Sequence, residues 1–138
     1  DQRLLIENKP YLPVDCGTSR LAGSTPGEIR RIMDEVNCGF CLDIDHMIAS
    51  ANAHRADWRE WFTAFLAHHP SMFHLSDMQA DSEIDQHLHY GFGSLPLAEI
   101  LSRLPRDFTL SVETVKDSRD NLNDFAADVA RLKGVVNA

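Results

Sequence analysis

The sequence is poor in cysteine, in basic residues and in long apolar runs, and each shortage disfavours a class of protein. The three cysteines, Cys16, Cys38 and Cys41, are odd in number and unevenly spaced, so we expect no disulfide framework and a reducing, cytoplasmic location. Thirteen basic against twenty-one acidic residues leave a net charge of −8, which disfavours nucleic acid as a partner. Since no apolar run is long enough to cross a bilayer, we expect no membrane partner.

Short apolar segments recur along the chain and are predicted as buried strands. These segments cover residues 4–8, 38–43, 72–77 and 108–112. A fifth short strand near residues 87–90 is left open. Strands that alternate with amphipathic helices predict an α/β fold, with a parallel sheet and the helices outside it. Because a closed (β/α)8 TIM barrel needs ~200 residues or more, the chain is predicted to be the second half of such a barrel or a small open sheet.

The helices between the strands are predicted from apolar faces and capping residues. Thr25, Pro26 and Glu28 form a helix start in which Thr25 caps, Pro26 takes the first helical position and Glu28 reaches back. The last helix is predicted to be capped by Ser118. A Pro- and Gly-rich loop is predicted over residues 10–24.

Each predicted strand carries a ligand-type side chain at or near its carboxyl end. These side chains are Glu7, Asp43, His74 and Glu113, and the third strand has Asp77 at its end as well as His74 within it. Any one of them alone is typical of a helix cap or a solvated residue, but four in register favour a shared site at the edge where parallel α/β sheets bind ligands. Three carboxylates beside one imidazole would repel one another without a divalent cation. Oxygen-rich ligation favours Mn²⁺, Mg²⁺ or Co²⁺, and further histidines favour Zn²⁺.

Two further motifs lie in polar segments. His46 follows Asp43 by three residues and is predicted either to bind a second metal or a substrate oxygen, or to lie in a surface loop. Asp85 and His87 precede a Gly-x-Gly turn, residues 91–93, whose glycines would let the backbone approach a ligand closely.

The order of these motifs resembles the xylose-isomerase-like TIM-barrel superfamily, which contains sugar-phosphate isomerases and epimerases and the type-IV apurinic-site endonucleases. The motifs are I-E-N at 6–8, C-L-D-x-x-H at 41–46, H-L-S-D at 74–77, D-x-H-x-x-x-G-x-G at 85–93 and V-E-T at 112–114. The resemblance covers nearly the whole chain and corresponds to the barrel from its fourth strand to its eighth. It implies a single domain over residues 1–138 that forms the C-terminal portion of a longer barrel.

The resemblance also implies roles for the polar residues. The shared metal tetrad would be Glu7, Asp43, His74 and Glu113. In the endonucleases, further zinc ions would be bound by His46, Asp85 and His87. Those enzymes also use two histidines from the second and third strands, which this chain lacks, and Phe92 stands where Gly-Glu-Gly is frequent. The endonuclease interpretation is therefore placed second.

The first hypothesis is a divalent-metal-dependent isomerase or epimerase that acts on a small sugar or sugar phosphate through an enediolate. Glu7 and Glu113 would be the general base and acid, His46 would hydrogen-bond a substrate oxygen, and Lys9 and Lys116 would meet a phosphate. The alternatives are zinc-dependent phosphodiester hydrolysis at abasic DNA, and a non-catalytic half-barrel. Because a half-barrel has two unpaired sheet edges, we expect a homo-oligomer or pairing with an N-terminal half of the barrel.

Overall fold

A computed structural model describes residues 4–12 and 20–136 of the chain. Part of the loop predicted over residues 10–24, including Cys16, falls outside the described residues. Four parallel strands form one sheet in the order β1-β2-β3-β4. They are β1 (Leu5–Glu7), β2 (Gly39–Asp43), β3 (Met72–Leu75) and β4 (Leu110–Val112). The predicted α/β fold is confirmed, and the sheet has the parallel order of a partial (β/α)8 barrel.

Five helices connect or follow these strands. They are α1 (Pro26–Val36), α2 (Ile44–Ala53), α3 (Trp58–Leu66), α4 (Leu97–Ser102) and α5 (Asn123–Val136). The predicted start of α1 is confirmed: Thr25 accepts a hydrogen bond from the Glu28 N–H, and the Glu28 carboxylate accepts one from the Thr25 N–H. In the described part of the chain, none of these helices is both long and apolar enough to cross a membrane.

Helix α2 is not expected from the sequence pattern. Its residues from Ile44 to Ala51 are all buried, polar ones included, so this part of the helix has no solvent-exposed face for a pattern of polar and apolar residues to mark. The helix begins directly at the end of β2, where the Asp43 carboxylate caps it by accepting a hydrogen bond from the His46 N–H at 2.8 Å. This places His46 in the first turn of a buried helix rather than in a surface loop.

Two other expectations differ from the structure. The sequence left a fifth strand near residues 87–90 undecided, and the structure does not form it. Leu88 makes only an isolated antiparallel bridge to Asp77. Helix α5 begins at Asn123 rather than after Ser118, whose hydroxyl instead accepts a hydrogen bond from the Asp120 N–H within a turn. Such short-range hydrogen bonds from serine compete with helix formation, which explains the later start.

The core lies between the sheet and the helices. Phe40 and Leu42 of β2 and Phe73 of β3 point to this side, where Phe62 and Phe65 of α3 join them. Because side chains alternate along a strand, Asp43 and its neighbours in register point to the opposite face. Glu7 lies opposite Cys41, and Asp43 lies opposite His74. The polar residues therefore collect on the face that would line the inside of a barrel.

Candidate metal centre

Four side chains from four successive strands meet at the carboxyl edge of the sheet. Glu7, Asp43, His74 and Glu113 each offer one ligand atom, and these atoms all lie within 4.8 Å of one another. The Nδ1 atom of His74 lies 2.7 Å from Glu113 Oε1, 3.4 Å from Glu7 Oε1 and 3.9 Å from Asp43 Oδ2. The structure thus brings together all four residues of the predicted tetrad.

The donor set of the tetrad fits a divalent cation. His74 Nδ1 is buried and makes no hydrogen bond of acceptable geometry, although three carboxylates surround it. A buried nitrogen without a hydrogen-bond partner is costly unless its lone pair binds something. One imidazole and three carboxylate oxygens are ligands that Mn²⁺, Mg²⁺ and Co²⁺ accept.

Asn8 fixes the position of Asp43 in this tetrad. Its amide donates to the Asp43 carbonyl at 2.9 Å and accepts from the Asp43 N–H at 2.8 Å, so the ends of β1 and β2 are tied together. Burial raises the pKa of the Asp43 carboxyl well above its ordinary value, and a bound cation would offset that cost. Asn8 belongs to the I-E-N motif, but its partner Asp43 lies 35 residues away in the chain, so no local pattern indicates this role.

The two carboxylate oxygens of Glu7 have different partners. Oε2 pairs with the Lys9 ammonium, while Oε1 faces His74 and His46. Burial opposes ionisation, but the hydrogen bond and charge of Lys9 outweigh it and hold the pKa of Glu7 below its ordinary value. Lys9 therefore contacts the site through Glu7, and Lys116 is bound by Asp124 and the Asn121 carbonyl.

A second group of ligand-type residues lies directly beside the tetrad. His46 Nε2 and His87 Nε2 lie 3.3 Å and 2.6 Å from Asp85 Oδ2. Their Nδ1 atoms face backbone carbonyls, His46 that of Asn8 at 2.9 Å and His87 that of Glu113 at 2.8 Å. A histidine that donates through one nitrogen presents the other as a ligand, as metal-binding histidines do. Asp85 Oδ1 is buried without a hydrogen-bond partner, so this trio also fits a cation.

The trio is electrostatically coupled. Burial disfavours a charged ring at His46, but Asp85 and Asp43 outweigh it and raise the pKa of His46 to about 9. The hydrogen bond and charge of Asp85 raise the pKa of His87 to about 9 as well. The trio adjoins the tetrad, since His46 Nδ1 lies 3.5 Å from Asp43 Oδ2 and 3.6 Å from Glu7 Oε1.

The Gly-x-Gly turn packs against a buried carboxylate of the protein. Asp77 Oδ2 accepts hydrogen bonds from the Gly91 N–H at 2.8 Å and the Gly93 N–H at 3.1 Å. A Cβ atom at Gly93 would collide with the Asp77 carboxylate and the Met78 carbonyl. The close approach that Gly93 allows is therefore made to the buried Asp77 carboxylate, two residues after β3, and approach of a ligand to this turn stays a prediction.

An open cleft of about 870 Å³ adjoins both groups. Its lining includes Asp85, His87, Glu113, Thr114 and Phe125. A cleft of this size can accept a small polar molecule next to the ligand-type side chains.

Comparisons with solved structures agree with the fold. A D-tagatose 3-epimerase-like protein superposes with a TM-score of 0.69 at 23% sequence identity, covering 96% of this chain and 46% of that protein. A candidate xylose isomerase from Rhodospirillum rubrum superposes with a TM-score of 0.67 at 13% identity, covering 97% of this chain and 46% of that one. At these identities the likeness shows the fold, and the chain spans less than half the length of either protein.

Comparison of sequences identifies a family for the chain, although it finds no curated relative. No curated protein matches the chain in sequence. The sequence model for the xylose isomerase-like TIM barrel matches residues 1–135. The chain therefore belongs to the xylose isomerase-like TIM-barrel family.

Proposed function

We propose that the chain forms the metal-binding portion of a sugar or sugar-phosphate isomerase or epimerase that acts through an enediolate. The observation that carries the proposal is the convergence of Glu7, Asp43, His74 and Glu113 on one point, with His74 Nδ1 left without a hydrogen bond. A divalent cation there would act as a Lewis acid and stabilise negative charge on a substrate oxygen. Manganese, magnesium, cobalt and zinc are the candidates.

Glu7 and Glu113 are the groups proposed to move protons in this reaction. Glu7 suits the general base because Lys9 keeps its carboxylate ionised, so it can accept a proton from the carbon beside a carbonyl. Glu113 borders the open cleft and would return a proton to the neighbouring carbon or oxygen. His46 is proposed to orient a substrate oxygen, and Lys9 and Lys116 remain the predicted phosphate contacts.

Proton exchange with solvent tests this function directly. The chain, loaded with Mn²⁺ or Co²⁺, would be incubated in D₂O with tagatose, other ketoses and their phosphates. We expect deuterium to enter the substrate at the carbon next to the carbonyl, measured by mass spectrometry, and to stop after chelation of the metal. Loaded protein that exchanges none of these substrates would contradict the proposal for this chain.

The trio favours a second candidate function. With His46, Asp85 and His87 beside the tetrad, the chain offers ligands for more than one zinc ion, as phosphodiester hydrolysis at abasic DNA would require. Two or more zinc ions per chain together with cleavage of an abasic duplex would support this function. A single bound metal without cleavage would count against it.

The open edges of the sheet bear on partners. Among the described strands, β1 pairs only with β2 and β4 only with β3, so each outer strand keeps an unpaired edge. We propose that these edges pair with an N-terminal half of the barrel or with another copy of the chain. A stable, monodisperse monomer in light scattering would argue against pairing between copies.

The non-catalytic alternative predicts an oligomer that binds no metal. A cytoplasmic location stays a prediction.

A further inference from the structure

Helix α5 buries a carboxylate behind the candidate centre. Asp128 is fully buried, whereas Leu132 is the only other buried residue in the helix. A buried carboxylate is costly unless hydrogen bonds satisfy it. The contacts of Asp128 therefore indicate what the burial achieves.

Asp128 is held by three donors from different segments. Its Oδ2 accepts hydrogen bonds from His89 Nδ1 at 2.5 Å and from Thr114 Oγ1 at 2.7 Å. Its Oδ1 accepts one from the Arg131 guanidinium at 3.1 Å. One oxygen thus joins the loop after β3 to the chain after β4.

Both joined segments carry residues of the candidate centre. His89 lies two residues after His87, and Thr114 directly follows Glu113. The same two segments are bridged a second time, since His87 Nδ1 contacts the Glu113 carbonyl at 2.8 Å and the Val115 N–H donates to the His87 carbonyl at 2.8 Å. Rotation of the His87 ring would break its hydrogen bond to the Glu113 carbonyl, and a shift of the backbone at Glu113 would disturb both bridges.

We propose that Asp128 is a positioning residue that holds His87 and Glu113, through His89 and Thr114, in the orientation that binds metal. The inference rests on the proposed metal-binding function and assigns Asp128 no contact with substrate or metal. Hydrogen bonds made directly to metal ligands set their orientation, and the loss of one lowers metal affinity by about 10- to 100-fold in known sites. Asp128 acts one step further out, on the residues next to the ligands. Because Asp128 lies on α5, a change in the packing of this last helix would also change the metal affinity.

Thr114 provides the sharpest test, because its hydroxyl can be removed without a change of shape. Co²⁺ would be titrated into the unsubstituted chain, Thr114→Val, Thr114→Ser and Asp128→Asn, and its visible absorption recorded well below the unfolding temperature. We expect Thr114→Val and Asp128→Asn to bind Co²⁺ about tenfold or more weakly with altered spectra. Thr114→Ser keeps the hydroxyl and should bind as the unsubstituted chain does.

Asp107→Asn serves as the control, since it removes one negative charge from an exposed position. Its affinity for Co²⁺ should not change. If Thr114→Val and Asp128→Asn lose only thermal stability and keep both the affinity and the spectrum, the positioning role is overturned while the metal centre stands. An equal loss in Asp107→Asn would overturn it too. If the unsubstituted chain binds no Co²⁺, the proposed centre fails and the inference fails with it.

Discussion

Buried acidic side chains in this molecule fall into two groups according to their hydrogen bonds. Asp77 and Asp128 have both carboxylate oxygens occupied by N–H or O–H donors. Asp45 and Asp85, by contrast, each keep one buried oxygen without a hydrogen-bond partner, and Asp85 is the one that contacts the Nε2 atoms of His46 and His87. A fully satisfied carboxylate has a structural task, whereas an unsatisfied one beside imidazole nitrogens is suited to hold a cation.

The structural role of Asp77 can be tested at Gly93. Gly93→Ala should lower the free energy of unfolding by about 1–3 kcal/mol, because its methyl group collides with Asp77 and Met78. Gly134→Ala is the matched control: nothing lies near its Cβ position, and alanine in a helix is better than glycine by about 0.5–1 kcal/mol. Denaturant unfolding measures both. Equal stabilities for the two variants would refute this account of the turn.

Glu113 is proposed to return a proton to the substrate, and a single substitution tests this role. Glu113→Gln keeps the size of the side chain but cannot deliver a proton as a carboxylic acid does, so deuterium exchange into substrate should fall by at least about 100-fold. Circular dichroism should show an unchanged fold. Glu83→Gln, at an exposed position, is the control and should exchange normally. Activity retained by Glu113→Gln would remove Glu113 from the mechanism.

At the scale of the elements, two helices show what local sequence can and cannot predict. Helix α1 was predictable, because its capping box and apolar stripe both lie in its own sequence. Helix α2 was not, because burial on all sides removes the stripe and its N-cap is the strand-end residue Asp43. The same residue therefore ends β2, begins α2 and joins the tetrad. This explains why His46 is rigidly placed although it follows the strand directly.

The capping box of α1 predicts a dependence on pH. Burial disfavours ionised Glu28, but the N–H groups of Thr25 and Ser24 outweigh it and lower its pKa below 4.5. A carboxyl with a lowered folded pKa stabilises the fold above its unfolded pKa, and this contribution is lost as the pH falls through the folded pKa.

Glu28→Gln should therefore be less stable than the unsubstituted chain at pH 7, and the difference should vanish in acid. Thr25→Ala should cost about 1 kcal/mol at pH 7. Thermal unfolding followed by circular dichroism at several pH values checks both. A stability difference for Glu28→Gln that persists unchanged below the folded pKa would contradict the assigned cause.

The sheet as a whole is part of a barrel, and the polar side chains of its inner face converge at the carboxyl ends of the strands. Metal binding should therefore add stability, because the unfolded chain has no preformed site. Co²⁺ or Mn²⁺ at 100 times its dissociation constant should add about 2.7 kcal/mol to the free energy of unfolding. His74→Ala removes the only imidazole of the tetrad and should lose most of this gain. An equal gain in His74→Ala, measured by thermal unfolding, would place the metal elsewhere.

Much of the fold and of the candidate site can be predicted from the amino-acid sequence alone. Short apolar runs show where the strands end, and therefore that four ligand-type side chains lie near these ends: Glu7, Asp43, His74 and Glu113. Because the carboxyl ends of parallel strands meet at one edge, the sequence also predicts that these side chains converge. The family and the α/β class followed from the same motifs. Only the tertiary structure decided the buried helix α2, the use of Gly93 by Asp77, and the link from Asp128 to His89 and Thr114. These features depend on contacts between residues far apart in the chain, and local periodicity carries no record of such contacts.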